Sequence, residues 1–404
     1  MPQMQAGHTV ELLEGGAAFF PALVECMDAS RTEVRLETYI FDFDAAGETV
    51  ALALLRAAQR GVVVFLVMDG IGTPQVPEVW AQRFDQAGVH WHRFSPLGRL
   101  GLLIPGRWRR MHRKLCVVDG RVAFCGGINI LDDLRDPAAG ALESPRYDFA
   151  VRVRGPLVAD VQTAMVQFWT RLQATRNLEN FRFQSARTVW SDMLGQQKLR
   201  QMAAQNTDAD ADSKIMAGLV LRDNLRNRNG IEKAYRKAIG EARQEVLIAN
   251  AYFVPGAKVR RALIDAAGRG VRVRLLLHGS YEYFMQYHAA RPFYGALLAA
   301  GVEIYEYKPG FLHAKVAVVD GHWATVGSSN LDPLSLQLAR EANVVVDNAE
   351  FANGLRVRLE IAIACSGHGI DPQSYAARPW RQRVLDQFAF GLMRLMLFIT
   401  GRRY

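Results

Sequence analysis

With 404 residues, half of them hydrophobic, the chain can build a large core and two or three domains, and its composition speaks against disorder. A formal net charge of +9 and a pI near 9.5 favour polyanionic partners: nucleic acid, anionic lipid head groups or phosphate esters. The four cysteines, Cys26, Cys116, Cys125 and Cys365, form no CxxC pair and no ligand-like cluster, so neither a disulfide framework nor a zinc site is indicated, and a reducing compartment fits.

The N-terminal MPQMQAGHTVELLEGG lacks the charged start and apolar run of a signal peptide. From Glu33 the order is a buried strand, a loop, an amphipathic helix ending at Gly61 and a second strand. From Glu245 the same order returns, with its helix ending at Gly270. DQAGVHWHRFSP then matches LAAGVEIYEYKPG, and MHRKLCVVDGRVAFCGGINILDD matches LHAKVAVVDGHWATVGSSNLDPL. Such a duplication of βαβ units predicts an α/β fold: two similar domains, each a mixed, mostly parallel sheet flanked by helices, packed as a pseudo-dimer. The expected boundaries are 1–171 for the first domain, 172–214 for a linker containing QNTDADADSK, and 215–370 for the second domain. The remainder, 371–404, is an amphipathic segment. Within it, VLDQFAFGLMRLMLFIT is interrupted by Asp386 and Arg394, so it is too broken to span a membrane. It reads either as an interfacial helix or as a terminal helix docked on the core.

The duplicated motif carries the chemistry. His112, Lys114, Asp119, Gly126, Gly127 and Asn129 recur with identical spacing as His313, Lys315, Asp320, Gly327, Ser328 and Asn330. A single HxK is weak; two copies at equivalent places in two repeats are a strong signal. On a strand, His and Lys two apart share a face, while Leu115, Val117, Val316 and Val318 fall on the other. Asp119-Gly120 and Asp320-Gly321 read as tight hairpin turns, so both aspartates are also expected as turn residues. The returning strands bring Asn129 toward Lys114 and Asn330 toward Lys315. Two lysines, two amides and backbone donors around Gly127 and Ser328 make a phosphodiester site without a metal. One imidazole attacks phosphorus; the other protonates the leaving alkoxide and then activates the incoming alcohol or water. Glu37, a charge inside an apolar strand, either lines this site or pairs with a lysine. His90, His92, His278 and His288 have no matched partners and receive no role.

The duplicated HxKxxxxD pattern resembles the phospholipase D superfamily. More narrowly, HRKLCVVDGRVAFCGGIN, RDNLRNRNGIEKAYRKAI, EVLIANAYFVPG, LHAKVAVVD and GSSNLDPLSL resemble the shorter, B-type bacterial cardiolipin synthases, over about residues 10 to 370. The resemblance implies two phospholipase D-like domains with one active site at their interface, a phospho-histidine intermediate and no cofactor or metal. It implies His112 as nucleophile and His313 as acid/base, an order that the pseudo-symmetry permits to be reversed. It also implies an acid downstream of each motif that orients a histidine, matched by Asp148 and Glu341. The implied catalytic set is His112, Lys114, Asp119, His313, Lys315 and Asp320, supported by Asn129, Asn330, Ser328, Asp148 and Glu341.

The implied partners are phosphatidylglycerol with a second phospholipid or alcohol, and a membrane surface. The implied location is the cytoplasmic face of the bacterial inner membrane, bound peripherally, and no nucleic acid is expected. Longer members of the family carry two N-terminal membrane-spanning helices that this sequence lacks, so contact is expected through the C-terminal segment and basic patches such as Arg107-Trp108-Arg109-Arg110. Hydrolysis in the manner of a phospholipase D uses the same site with water as acceptor. A nuclease fits the charge but not the apolar C-terminus, and a catalytically dead scaffold is at odds with two intact motifs.

Overall fold

The two repeats fold into two sheets with the same strand order. The computed structural model describes residues 3–98, 105–136, 140–179, 214–223, 227–279, 284–332, 339–366 and 369–399. The first half contains β1 (Thr9–Glu14), β2 (Glu33–Thr38), β3 (Val63–Asp69), β4 (His90–Phe94), β5 (Arg110–Met111), β6 (Lys114–Val118) and β7 (Val122–Gly126). It continues with β8 (Arg135–Asp136), β9 (Gly140–Ala141) and β10 (Phe149–Arg154). The second half contains β11 (Met216–Arg222), β12 (Glu245–Asn250), β13 (Arg272–His278), β14 (Glu303–Tyr307), β15 (Lys315–Val319), β16 (Trp323–Gly327) and β17 (Ala339–Asp347). The first sheet runs β1-β10-β7-β6-β2-β3-β4 and the second β11-β17-β16-β15-β12-β13-β14.

Parallel pairing is confined to β2-β3-β4 and β12-β13-β14; the other ladders within the two sheets are antiparallel. The sheets are therefore mixed, as expected, with a smaller parallel share than the βαβ repeats suggest. The reason is local. The turns at Asp119-Gly120 and Asp320-Gly321 have φ of 52° and 66°, and 50° and 66°, the left-handed pairs of a type I′ hairpin, which reverses the chain. The helices Ala46–Gln59 and Ala257–Gly268 stop as their glycines require. Gly61 and Gly270 adopt φ of 86° and 85°, and the amides of Val62 and Val271 reach back to the carbonyls of Ala57 and Ala266 at 3.1 Å.

Five layers result. Helices including Gly15–Asp28 and Ala46–Gln59 pack on the outer face of the first sheet, and Gly230–Glu241 and Ala257–Gly268 on that of the second. Between the sheets lies a common core to which both halves contribute. Leu115, Val117, Phe149 and Val151 meet Val316, Val318, Val344 and Val346, together with the helices Leu157–Glu179 and Ala349–Cys365. The strand face opposite His and Lys is thus the domain interface. Each fully buried Val or Leu there contributes roughly 1.5–3 kcal/mol, so hydrophobic burial binds the halves together. The helix Leu157–Glu179 runs past the expected domain end at residue 171, and residues 180–213 of the expected linker lie outside the described residues.

The motif aspartates stand apart from the histidines. Asp119 lies at the far end of β6, roughly 16 Å along the strand from Lys114 at about 3.3 Å per residue. Its carboxylate accepts the amides of Arg31, Thr32 and Glu33 at 2.8–3.0 Å. Asp320 does the same for Arg243, Gln244 and Glu245 at 2.8–2.9 Å. Each aspartate thus ties a hairpin to the start of the neighbouring strand, the turn position that the Asp-Gly pairs suggest. Asp119→Ala is expected to destabilise the fold by roughly 1–3 kcal/mol, because it strips acceptors from these amides and forces alanine into a left-handed turn. Turnover per folded molecule stays within a few-fold of the parent. Denaturant unfolding with activity on the same sample checks this, and a large loss of turnover with unchanged stability would contradict it.

Candidate active site

His112 and His313 precede β6 and β15, at the end of the sheets where the two halves are stitched together. β5 pairs in parallel with β17, and the amide of His112 bonds the carbonyl of Arg340 at 3.0 Å. In the equivalent contact of the other repeat Tyr147 bridges Leu312, and the amide of His313 bonds the carbonyl of Tyr147 at 2.9 Å. The segment carrying each motif histidine is thus anchored on the opposite half.

The orienting acids are crossed. Asp148 and Glu341 occupy equivalent places just before or within the last strand of each repeat, because Gly126 faces Ala150 and Gly327 faces Asn343 in the two registers. Their placement downstream of each motif suggests that each serves the histidine of its own repeat. Instead Asp148 Oδ2 lies 2.6 Å from Nδ1 of His313, and Glu341 Oε1 lies 3.0 Å from Nδ1 of His112. Both carboxylates are almost fully buried. Each imidazole is held through Nδ1, which fixes its tautomer and orientation and leaves Nε2 for substrate.

Charge at the site is governed by burial. Desolvation lowers the pKa of His112, opposed by the Glu341 carboxylate. Desolvation, reinforced by the Lys315 and Arg146 cations, holds His313 well below the usual imidazole range. Burial pushes Asp148 up to about 6, against the pull of Lys315. Near neutral pH the His313–Asp148 pair is therefore a neutral imidazole beside a carboxylate. The lysines are also buried. Desolvation brings Lys114 down to about 7 and Lys315 to about 8, against the pull of Glu341 and Asp148. Lys114 Nζ donates to the carbonyl of His112 at 2.7 Å and Lys315 Nζ to that of His313. Lys315 also lies 3.9 Å from Asp148 Oδ2.

Several expected phosphate contacts are already used within the chain. The amides of Gly127 and Ser328 bond the carbonyls of Phe149 and Ala342 at 2.9 and 3.0 Å, so neither is a substrate donor. The Ser328 hydroxyl donates to Glu341 and accepts from the amide of Ala342 at 3.1 Å. Ser328 is thus a support for the carboxylate of His112. In the other repeat a Cβ at Gly127 would lie 2.3 Å from Asp148 Oδ1, so the glycine makes room for the acid. Asn129 Oδ1 accepts the amide of Ile40 at 3.1 Å, whereas Asn330, 2% exposed, leaves its Oδ1 without a partner among the described residues. Glu37 pairs with Arg113, Nη2 to Oε1 at 2.9 Å, an arginine in place of the expected lysine. Arg110 is spent inside the protein on Asp69 at 2.9 Å, so the RWRR patch offers fewer lipid-facing cations than its sequence suggests.

Sequence reasoning missed three neighbours. Tyr39 stacks obliquely on His112 with centroids 4.8 Å apart, and Lys114 Nζ sits 5.5 Å over its ring. Asp69 and His278 end β3 and β13 at matched positions, and each accepts the amide just ahead of a motif histidine. Met111 N reaches Asp69 Oδ2 at 2.8 Å, and Leu312 N reaches His278 Nδ1 at 3.3 Å. Burial holds His278 near 4, so it stays a neutral acceptor. The signal was their equivalence in the aligned repeats, obscured because one is an acid and the other an imidazole. Among the described residues, no group of three or more His, Cys, Asp or Glu is placed to hold a metal ion.

The chain is similar to known proteins in sequence and in fold. The family model described as the cardiolipin synthase, phospholipase D-like domain matches residues 23–133 and 235–361. Cardiolipin synthase B of Escherichia coli (strain K12) is 37% identical over 395 residues, covering 98% of this chain and 90% of that protein. Cardiolipin synthase B of Salmonella typhi is 38% identical over 397 residues with the same coverage. Phosphatidylserine synthase of Haemophilus influenzae Rd KW20 shares the fold at 13% identity, with a TM-score of 0.67 over 96% of this chain and 94% of that one. On the strength of both matched repeats and of identity along nearly its whole length, the chain belongs to the cardiolipin synthase family built on phospholipase D-like domains.

Proposed function

We propose that this protein is a cardiolipin synthase: it moves a phosphatidyl group from one phospholipid onto a histidine and then to the hydroxyl of phosphatidylglycerol. The observation that carries the reading is the crossed pair of imidazoles, each held at Nδ1 by a buried carboxylate of the opposite half, beside two buried lysines. His112, supported by Glu341, is the nucleophile: its Nε2 lone pair attacks phosphorus as the bond to the leaving alkoxide breaks. His313 donates a proton to that alkoxide. In the second step His313 takes the proton of the acceptor hydroxyl, the new oxygen–phosphorus bond forms and the nitrogen–phosphorus bond breaks. Lys114, Lys315 and the two asparagines hold the phosphoryl oxygens. Such a phosphodiester is an anion lying between the lysines, so its arrival offsets the cations that depress His313 and lifts that imidazole toward protonation. The proposed setting is a bilayer face reached peripherally, since among the described residues no helix is long and apolar enough to cross a membrane.

Incubation with labelled phosphatidylglycerol in mixed micelles tests the reading. Cardiolipin is the expected product. Phosphatidic acid alone, with no cardiolipin at any acceptor concentration, would make the protein a hydrolase. Because lysine charge holds the phosphate, EDTA is expected to leave the rate within a factor of about two, and abolition by chelator with rescue by a divalent ion would overturn that part.

The lysines set the pH dependence. In the empty site Lys114 loses its proton near 7 and Lys315 near 8, so kcat/KM is expected to fall as pH rises through this range. The alkaline limb of kcat lies higher, because bound anionic substrate favours the charged lysines. Lys114→Arg, whose guanidinium stays protonated, is expected to push the limb of kcat/KM upward at a lower overall rate. A wild-type kcat/KM flat through the alkaline range would refute this assignment.

A further inference from the structure

The C-terminal helix Trp380–Ile399 lies along the helix Phe284–Ala299. Its inward side carries Asp386 and Ala389, both buried, and Phe390, whose ring meets Phe293 edge-on at 5.0 Å. Asp386 fixes the contact. Its Oδ1 lies 2.6 Å from Nδ1 of His288 and its Oδ2 3.0 Å from the Arg378 guanidinium. His288, which the sequence left without a role, is thus part of a clamp that holds one side of the helix down and the other side out.

The outward side is apolar. Trp380, Val384, Phe388 and Leu392 are 70%, 57%, 66% and 38% exposed, and Trp380 and Phe388 are the most exposed large apolar side chains among the described residues. Four apart in sequence, they form one stripe along the helix, and the exposed Arg381 and Arg383 flank it on either side. A rimmed apolar patch of this kind marks an interaction surface.

A second feature adjoins it. A groove of about 710 Å³ at the helices Gly230–Glu241 and Ala257–Gly268 is lined by Arg236, Lys258, Arg260, Arg261 and Arg269 against one carboxylate, Asp265. Arg261 engages that carboxylate at 3.0 Å. The Arg260 guanidinium sits 5.0 Å over the Phe293 ring, the same ring on which Phe390 packs, so one side chain links the helix that lines the groove to the helix that carries the stripe. Because Asp386 meets His288 and Phe390 meets Phe293, the two helices run in the same direction, and Trp380 lies toward the start of Phe284–Ala299. That helix follows β13, whose last residue His278 packs on Phe311 at 4.7 Å, beside His313. The aromatic end of the stripe is thus at the active-site end of the sheet.

From this juxtaposition we infer that the face formed by the Trp380–Val384–Phe388–Leu392 stripe and the Arg236–Arg269 groove docks on an anionic phospholipid bilayer. The apolar stripe enters the boundary between head groups and acyl chains, and the groove takes lipid phosphates. A second copy of this chain is the poorer occupant, because docking like faces would set these cations against one another in a protein of net charge +9. The inference rests on the reading that the substrates are membrane phospholipids.

Flotation of the full chain with phosphatidylcholine vesicles, with and without phosphatidylglycerol, tests it without turnover. The double variant Trp380→Ser with Phe388→Ser is expected to lose at least about tenfold in partitioning to the mixed vesicles. The pair Lys258→Glu with Arg261→Glu is expected to lose about as much, and only where phosphatidylglycerol is present. Turnover of micellar substrate stays at the parental level, which separates failed docking from failed chemistry. Should the serine variant fold poorly, Trp380→Phe decides: it retains binding and loses part of the tryptophan quenching by brominated lipid. Parental binding by the well-folded serine variant, or quenching unchanged by Trp380→Phe, overturns the inference. So does a shift in sedimentation from oligomer to monomer with vesicle binding intact, which would assign the face to a second copy.

Discussion

Alanine at either His112 or His313 is expected to lower phosphatidyl transfer by about 10⁴-fold or more, roughly 5 kcal/mol of transition-state stabilisation. In the proposed mechanism each imidazole handles a different bond of the same reaction, and the neighbouring His278 is committed to the amide of Leu312. The two losses are not expected to add. Once one histidine is gone the displacement cannot be completed, so the double variant should be no slower than the worse single variant beyond a few-fold. The variants nevertheless separate at the level of the intermediate. With His112 as nucleophile, His112→Ala forms no phospho-histidine under rapid quench with labelled donor. His313→Ala forms it slowly and holds it, because neither proton transfer is assisted. Peptide mapping that finds the label on His313 would reverse the two roles, and either single variant turning over near the parental rate would remove the paired-histidine mechanism.

Removing the orienting acids is expected to cost about 10²–10³-fold in kcat, with smaller changes in KM, for both Asp148→Asn and Glu341→Gln. The substitutions preserve shape and remove the charge that supports each imidazolium, so the loss falls on the chemical step. The crossed arrangement makes a sharper forecast. In double-variant cycles on stability, Asp148→Asn should couple to His313→Gln by about 1–2 kcal/mol and to His112→Gln by much less, and Glu341→Gln should show the converse. Coupling within repeats instead of between them would contradict the observed geometry. Gly127→Ser extends the same idea: a side chain there meets the Asp148 carboxylate, so the change is expected to resemble a weakened Asp148, whereas Ser328→Gly should act through Glu341 and His112.

The sequence by itself determined everything that is local or periodic. Alternation placed Lys114 and Lys315 on one strand face and Leu115, Val117, Val316 and Val318 on the other, because successive side chains on a strand must alternate, whereas the histidines lie just ahead of the strands. Asp-Gly announced both hairpins, since few other pairs accept two left-handed residues. The duplication announced two matching sheets, because equal patterns of strand, helix and turn bury equal faces.

The tertiary structure alone decided what crosses between the halves. Asp148 meets His313 across 165 residues of sequence and Glu341 meets His112 across 229. No periodicity encodes which repeat supplies the acid; that follows from the pairing of β5 with β17 and the bridge of Tyr147 to Leu312, which set each histidine against the other half. The fates of the Gly127 and Ser328 amides were decided in the same way, since a backbone donor free in the sequence is consumed once its strand finds a neighbour. The C-terminal segment shows both levels at once. Its apolar and charged residues were plain to read, but only packing against Phe284–Ala299 selected which side of the helix is buried through Asp386 and Phe390 and which side, with Trp380 and Phe388, remains in water.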